Sequence, residues 1–250
     1  SRPMGTTSTA RTSPGFSASA STRYFSSTGT SSPWNMLTAG ATSYPDVQIT
    51  AIANPHNGVI TASTKVDADA LKAITAFKAV TGTTNKVVGY VATASGSSGE
   101  LSVTDVKATI DNYLTLYPGV LDGFFLDGMS TDSNRLAYFQ EIYSYVQGKG
   151  SYKVIGNPGT YPAAAYASAN SGTGVADVLV TYAGNAAAYQ AIDPQPAHTW
   201  VYAKDNAAQA MLLHTASTCT DMQTALAKAN SPRINTGMVY ATNLTIGTPW

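Results

Sequence analysis

The chain of 250 residues has 14 basic and 14 acidic side chains, so its formal net charge is zero, and 11% of its residues are charged. An average soluble domain has roughly 25% charged residues. Because nucleic-acid interfaces and polybasic membrane surfaces both need concentrated Lys and Arg, this composition argues against both. The 44% share of hydrophobic residues argues against a disordered chain.

The first residues lack periodicity and contain Pro and Gly, which predicts a polar tail over 1–17 ahead of a single domain over 18–250. From there, short apolar or aromatic runs alternate with longer amphipathic stretches. The short runs are rich in β-branched and aromatic residues and are bounded by turn formers, which predicts strands. They cover 20–25, 47–53, 87–92, 122–126, 152–156, 177–181, 198–202 and 236–241.

The stretches between these runs have apolar residues at helical spacing. The clearest helices are predicted over 66–80, 102–116 and 133–148, and Ala-rich ones over 161–170, 184–191 and 219–229. Strands alternating with helices in one domain of this length favour a (β/α)8 TIM-type barrel of the α/β class. A doubly wound open sheet is the main alternative, although no Gly-x-Gly-x-x-Gly follows the first predicted strand.

The composition also allows predictions about membrane-spanning helices, metal sites and cellular location. No apolar run approaches the ~18 residues that a membrane-spanning helix needs, so no span is predicted. One cysteine, Cys219, and three histidines leave no thiolate-rich zinc site, and the few acidic residues argue against a tight Ca²⁺ or Mg²⁺ site. We therefore expect no metal or cofactor. Abundant Ser, Thr, Ala and Tyr with scarce Lys and Glu favour a secreted or cell-surface protein.

In a β/α barrel, functional residues lie at the carboxyl ends of the strands. The side chains that follow the predicted strands are mostly aromatic, amide or imidazole groups. Tyr rings stack on sugar faces, and Asn and His side chains hydrogen-bond hydroxyl groups, so this pattern is typical of a carbohydrate cleft. The residues expected to line sugar subsites are Tyr24, Asn54, His56, Tyr90, Asn157, Tyr182, Tyr202 and Lys204.

Asp127 is the leading catalytic candidate. It ends the apolar run 124–126, and a carboxylate at the end of a buried strand is costly unless it is paired or functional. Its alternative role is to cap the following helix. Glycoside hydrolysis commonly uses two carboxylates. The second would come from a loop, with Asp205 and Asp132 as candidates and Glu100 as a further one.

The order and spacing of the strand-end motifs resemble the spherulin-4 (spherulation-specific family 4) proteins over about residues 24–250. The motifs lie at 44–47, 52–58, 88–93, 122–127, 157–160, 176–182, 237–242 and 249–250. The resemblance implies a (β/α)8-type barrel in secreted or surface proteins that include hydrolases of α-1,4-linked galactosamine-containing exopolysaccharides. It also implies that Asp127 matches the family's strand-4 aspartate.

Two positions depart from the family's pattern. Gly128 stands where the family usually has Glu after the strand-4 aspartate, and Ala183 stands where it has Glu after an aromatic residue. Two main functions therefore stay open. One is a secreted glycoside hydrolase that acts on an amino-sugar exopolysaccharide, and the other is a non-catalytic relative that binds such glycans without cleaving them. A structural or protein-binding surface protein is the third.

Overall fold

The computed structural model describes residues 33–245 and the backbone of residues 15–21. Within them the strands are β1 (Gly15–Ser21), β2 (Ile49–Asn54), β3 (Lys86–Ala92), β4 (Gly123–Asp127), β5 (Lys153–Asn157), β6 (Val178–Asn185), β7 (Gln209–His214) and β8 (Met238–Ala241). The α-helices are α1 (Pro33–Ser43), α2 (Ala68–Lys78), α3 (Val103–Leu116), α4 (Leu136–Lys149), α5 (Ala165–Ser168), α6 (Ala186–Tyr189) and α7 (Cys219–Ala229).

The strands form one curled parallel sheet. Each strand pairs with the next one in sequence, and Gly15 and Phe16 of β1 also pair with β8, which closes the described sheet. The predicted α/β class with parallel strands is confirmed. The helical layer is incomplete, because α5 and α6 have four residues each and the described residues after β8 contain no helix. In residues 33–245, none of the helices combines the length and apolarity needed to cross a bilayer.

Two predicted strands are misplaced. The first strand is β1 rather than 20–25, so it begins within the segment predicted to be a tail. The prediction of a strand over 198–202 is wrong, because Thr199–Ala203 form a 3-10 helix on the outside of the sheet. The seventh strand is β7, whose residues are all buried, as expected for a parallel strand covered on both faces.

Alternate residues along each strand face opposite sides of the sheet. One set fills the barrel interior and forms the inner layer, and the other packs against helices and forms the outer layer. On β4, Phe125 belongs to the inner layer, whereas Phe124 and Leu126 belong to the outer layer. The inner layer comprises Ile52, Val88, Phe125, Ile155, Val180, Ala210 and Leu212. A residue two positions beyond an inner-layer residue therefore faces the interior again, nearer the carboxyl end.

Side-chain caps fix where several helices begin at the carboxyl end of the barrel. Asp67 and Ser102 each accept an amide hydrogen bond at the start of α2 and α3, respectively. At α7, the Thr218 side chain accepts from the amide of Asp221, whose carboxylate accepts from the amide of Thr218. Such reciprocal capping satisfies two amides that the first helical turn leaves without partners.

Two glycines should respond to alanine in opposite ways. In Gly123→Ala the new Cβ would lie 2.0 Å from the Lys153 carbonyl oxygen, so we expect a loss of about 3 kcal/mol or more in the free energy of unfolding. Gly148 lies in α4 with open space around its Cβ position, so Gly148→Ala should gain about 0.5–1 kcal/mol. Urea denaturation measures both, and equal effects would contradict the packing of β4 on β5.

Candidate functional site

A ring of mostly polar side chains lies at the carboxyl end of the barrel interior. Each member follows an inward-facing residue of its own strand by two positions, so the alternation of strands directs it inward. These residues, called the mouth ring below, are Asn54, Tyr90, Asp127, Asn157, His214 and Tyr240. The ring caps an apolar interior and opens toward the loops that follow the strands.

Four predicted site residues belong to this ring: Asn54, Tyr90, Asp127 and Asn157. The last three are joined by hydrogen bonds. Tyr90 Oη donates a hydrogen bond to Asp127 Oδ2, and Asn157 Nδ2 donates one to Asp127 Oδ1 at 2.8 Å. The Tyr90 ring stacks on Phe125 with 6.0 Å between ring centroids. Because β3, β4 and β5 are parallel neighbours with Asp127 in register with Asn157, their carboxyl ends bring these groups together. We call the three residues the Asp127 cluster.

The side-chain oxygens of the Asp127 cluster have few hydrogen-bond donors among the described residues. Burial, followed by the neighbouring Asp127 charge, raises the pKa of Tyr90, so its hydroxyl stays protonated and donates. Among the described residues, the ion pairs involve other carboxylates, and both bonds to Asp127 come from neutral groups. Asn157 Oδ1 is buried and accepts no hydrogen bond from the described part of the chain. The partly exposed Asp127 carboxylate can therefore accept further hydrogen bonds from a ligand.

The two proposed second carboxylates each accept a hydrogen bond from a nearby backbone amide. All acidic side chains of the sequence fall within residues 33–245, so their positions are known. Asp205 precedes β7 at the amino end of the barrel, where it accepts from the amide of Ala207 at 2.9 Å. Asp132 follows β4 at the carboxyl end but is exposed and accepts from the amide of Asn134 at 3.0 Å. Both therefore serve as caps of short 3-10 helices.

Glu100 is linked to the end of β4 through a loop. Its Oε2 accepts from Ser95 Oγ at 3.2 Å, and the Ser95 amide donates to the Gly128 carbonyl at 2.9 Å. The same oxygen accepts from the Gly96 amide at 2.6 Å and from Arg135 Nε at 2.8 Å. These partners, with the Gly96 amide contributing most, hold the pKa of Glu100 below its usual value. Glu100 is thus an ionised carboxylate paired with Arg135.

Tyr182 faces away from the mouth. A register shift between Val180 and Tyr182 on β6 turns the Tyr182 ring toward α6, where its centroid lies 5.0 Å from that of Tyr189. Its hydroxyl donates to the Asn185 carbonyl at 2.8 Å. The shift brings Ala183 to the inward position, against the inner layer. The predicted subsite role of Tyr182 is therefore not supported by its orientation.

Tyr202 and Lys204 lie at the opposite end of the barrel. The prediction that they follow a strand at its carboxyl end is wrong, because they precede β7 instead. Tyr202 Oη donates to the Arg233 carbonyl at 2.8 Å, and Lys204 Nζ donates to the carbonyls of Gly172 and Thr173. Both side chains stabilise connections at the amino end.

One further predicted residue, His56, stands apart from the ring. His56 follows β2, but its Nε2 lies 2.7 Å from Tyr117 Oη, and Tyr117 belongs to the outer layer. Burial lowers the pKa of His56, and the nearby Asp67 charge opposes this effect. His56 therefore contacts a buried tyrosine outside the mouth ring. Tyr24 lies outside the described residues.

Sequence reasoning missed two members of the mouth ring. No strand is predicted over 209–214, yet His214 ends β7 with 7% of its surface exposed, and its Nδ1 lies 2.8 Å from Thr215 Oγ1. The apolar run 210–213 ahead of it was the available signal. Tyr240 lies within a motif that the sequence singled out, but no role was assigned to it. Burial raises its pKa, so its hydroxyl stays protonated.

Comparison with known proteins identifies the family to which the chain belongs. A sequence model of the spherulation-specific family 4 matches residues 22–250. The chain belongs to this family. Among its relatives, Spherulin-4 of Physarum polycephalum is 37% identical over 126 residues, which are 50% of this chain and 35% of that protein. This spherulation-specific family 4 chain thus matches about a third of the length of that curated relative. The resemblance seen in the sequence is confirmed.

A solved structure shares the fold of this family member. The crystal structure of Aspergillus clavatus Sph3 in complex with GalNAc aligns with a TM-score of 0.68 at 19% identity, covering 93% of this chain and 91% of that one. Adenine deaminase from Arthrobacter aurescens aligns less well, with a TM-score of 0.47 at 14% identity and coverage of 84% and 61%. The likeness to Sph3 agrees with the curled parallel barrel of the spherulation-specific family 4 chain.

His56 should make stability depend on pH. Its pKa is lower in the folded chain than its ordinary 6.5, so the unfolded chain binds the proton first as the pH falls. Stability should therefore be retained above about pH 7 and decrease as the pH falls through about 6.5. We expect His56→Asn to show a smaller decrease in melting temperature than the parent chain between about pH 7.5 and about pH 5.5.

Asp67→Asn is the matched test of the opposing charge. Asn also caps helices well, so α2 should be retained. Without the Asp67 charge the pKa of His56 should fall further, and the decrease in melting temperature on acidification should become larger. An unchanged pH dependence in both variants would show that His56 has no shifted pKa.

Proposed function

We propose that this barrel binds an amino-sugar-containing polysaccharide at the mouth ring, with one sugar unit seated on the Asp127 cluster. The observation that carries the proposal is a pair of neighbouring acceptors in the part of the chain that the structure describes. There the Asp127 carboxylate is bonded to neutral donors, and the buried Asn157 Oδ1 has no donor. A buried acceptor without a donor costs about 1–3 kcal/mol. A donor-rich ligand removes this cost.

Sugars meet this requirement, and amino sugars meet it best. Their hydroxyl groups donate hydrogen bonds, and the 2-amino or acetamido nitrogen adds an N–H that neutral hexoses lack. Tyr90 and Tyr240 add aromatic surface and hydroxyl groups at the same opening. The fold neighbour Sph3, whose crystal structure contains GalNAc, supports the choice of an amino sugar. The galactosamine type is part of the proposal.

Binding without cleavage fits the acidic residues best. The common two-carboxylate mechanism places its acid and its base or nucleophile about 5 to 9 Å apart across the scissile bond. Asp127 is the acidic member of the mouth ring, Gly128 and Ala183 stand where the family usually has Glu, and Asp132 and Asp205 are occupied as caps. The chain is thus proposed to be a carbohydrate-binding member of its family.

Glycoside hydrolysis is the second candidate, because Glu100 is connected to the end of β4. The contacts through Ser95 bring an ionised carboxylate to the loop beside Gly128. In this alternative, Asp127 and Glu100 would share the acid and base roles. A complete (β/α)8 TIM-type barrel and a secreted or cell-surface location belong to both versions of the proposal, since the composition favours export and the fold resembles that of Sph3.

Asp127→Asn should weaken sugar binding while the fold is kept. Asn retains the shape but loses the charge, and a hydrogen bond to a charged group contributes about 1.5–3 kcal/mol. We expect the dissociation constant for GalNAc or galactosamine, measured by calorimetry, to rise about 10- to 100-fold. The melting temperature should change by less than about 3 °C. Asp205→Asn is the matched control at the amino end, and its affinity should equal that of the parent chain.

Two results would contradict this assignment. One is an Asp127→Asn variant that binds as tightly as the parent chain. The other is an equal loss in Asp205→Asn, which would place the sugar at the wrong end of the barrel. A neutral hexose such as galactose should bind more weakly than both amino sugars.

The hydrolytic alternative has its own measurement. The parent chain, incubated with an α-1,4-linked galactosamine-containing polysaccharide, should release no more reducing ends than Asp127→Asn does, because one mouth carboxylate does not complete the mechanism. If the parent chain releases oligosaccharides and both Asp127→Asn and Glu100→Gln abolish the release, the protein is a hydrolase. Lys107→Gln, which leaves the Glu100 loop intact, serves as the charge-removal control.

A further inference from the structure

Two adjoining clefts lie beside the mouth ring. The first, of about 320 Å³, lies between the start of α7 and the end of β8 and is lined by Ser217, Cys219, Met222, Thr242 and Asn243, among others. The second, of about 330 Å³, lies between the starts of α6 and α7. Ser217 lines both, so they adjoin. Together they are called the rim clefts below.

The rim clefts begin where three strands end. Asn185, the last residue of β6 and the register partner of His214, lines the second cleft, as does Thr215, which follows His214. Ala241, which follows Tyr240 on β8, lines the first. The rim clefts therefore adjoin the β6–β8 side of the mouth ring, whereas the Asp127 cluster belongs to the β3–β5 side.

The lining is rich in hydroxyl and amide groups, and among the described residues Asp221 is its one charged side chain. Thr215, Ser217, Thr224 and Thr242 supply hydroxyls, and Gln190 supplies an amide. Asp221, in the first turn of α7, lines the second cleft, and its carboxylate already accepts a hydrogen bond from the Thr218 amide. Each cleft is at the lower end of the size range of small-ligand sites. Such a surface suits a hydroxyl-rich ligand.

We propose that the rim clefts bind further sugar units of the same polysaccharide whose one unit occupies the Asp127 cluster. This inference rests on the proposed function. Because the two sites lie on opposite sides of the barrel mouth, a ligand that reaches both is a chain that crosses the opening. The barrel thus binds its polymer along a path from the ends of β3–β5 to the ends of β6–β8, and a monosaccharide fills only the first part.

A cysteine in the first rim cleft allows occupancy of that cleft to be measured. Cys219 is the single cysteine in the sequence, is exposed, and lines the first rim cleft. Alkylation of its thiol by a maleimide therefore reports on one place. A saturating galactosamine-containing oligosaccharide should slow the alkylation at least about tenfold, the effect of a ligand that occupies the cleft with about 1.4 kcal/mol of binding free energy or more. Saturating GalNAc should leave the rate unchanged.

Ser217→Tyr tests the same path without a label, because Ser217 lines both clefts and the larger side chain would obstruct the place where they adjoin. Affinity for the oligosaccharide should fall to that for the monosaccharide, while affinity for the monosaccharide stays at the parent value. Ser231→Tyr, at a separate surface cleft lined by Asp193 and Arg233, is the matched control and should change neither affinity.

Calorimetry on the same samples separates the two proposals. If the oligosaccharide binds in an Asp127-dependent manner but Cys219 reacts at the unprotected rate, the path through the rim clefts is wrong and the proposed function stands. Equal protection by GalNAc and by the oligosaccharide also overturns the path, since it places a single unit in the cleft. If neither sugar binds, the proposed function and this inference fail together.

Discussion

The alternation of side chains along parallel, adjacent strands is the constraint on which the candidate site depends. It places Val88, Phe125 and Ile155 in the interior, and two residues later it places Tyr90, Asp127 and Asn157 at the opening. A slip of one residue on β4 would exchange the two faces and turn Asp127 toward the outer layer. The same apolar residues that fill the barrel therefore also direct the polar cluster, so packing and binding share one register.

The carboxylates that adjoin the strands have different partners at the two ends of the barrel. At the amino end, Asp122 pairs with Lys78 at 2.5 Å and accepts from the amide of Val87, and Asp177 accepts from the amide of Val154. These carboxylates precede strands and link neighbouring strands. At the carboxyl end, the Asp127 carboxylate is held by neutral donors, so its charge is available to a ligand. The low charge content seen in the composition thus makes a single carboxylate prominent.

The parts of the site that sequence could predict are those whose strands have clear composition. Residues 87–92 and 122–126 are rich in β-branched and aromatic residues between turn formers, so Tyr90 and Asp127 were placed at the correct end. In contrast, β7 has Ala, Met and Leu, which also suit helices, and the segment 198–202, with Thr, Val, Trp and Tyr, was mistaken for it. The orientation of Tyr182 could not be predicted for another reason. The register shift in β6 depends on how that strand pairs with β7, and no local pattern encodes it.

The same register shift makes the charge distribution around the barrel mouth asymmetric. It brings Ala183 inward where the family usually has a glutamate, so the β6 side of the opening has a small apolar side chain and no charge of its own. The Ala183 amide donates to the Gly159 carbonyl, which fixes this side chain close to the loop after β5. In the proposed function, the nitrogen of an amino sugar is then drawn to the β4–β5 side, where the negative charge lies. The hydroxyl-bearing remainder extends over the β6–β8 side, where the lining is itself hydroxyl-rich. Ala183 in place of the family glutamate thus leaves the negative charge of the described mouth ring at Asp127, and this asymmetry sets the direction of the polymer.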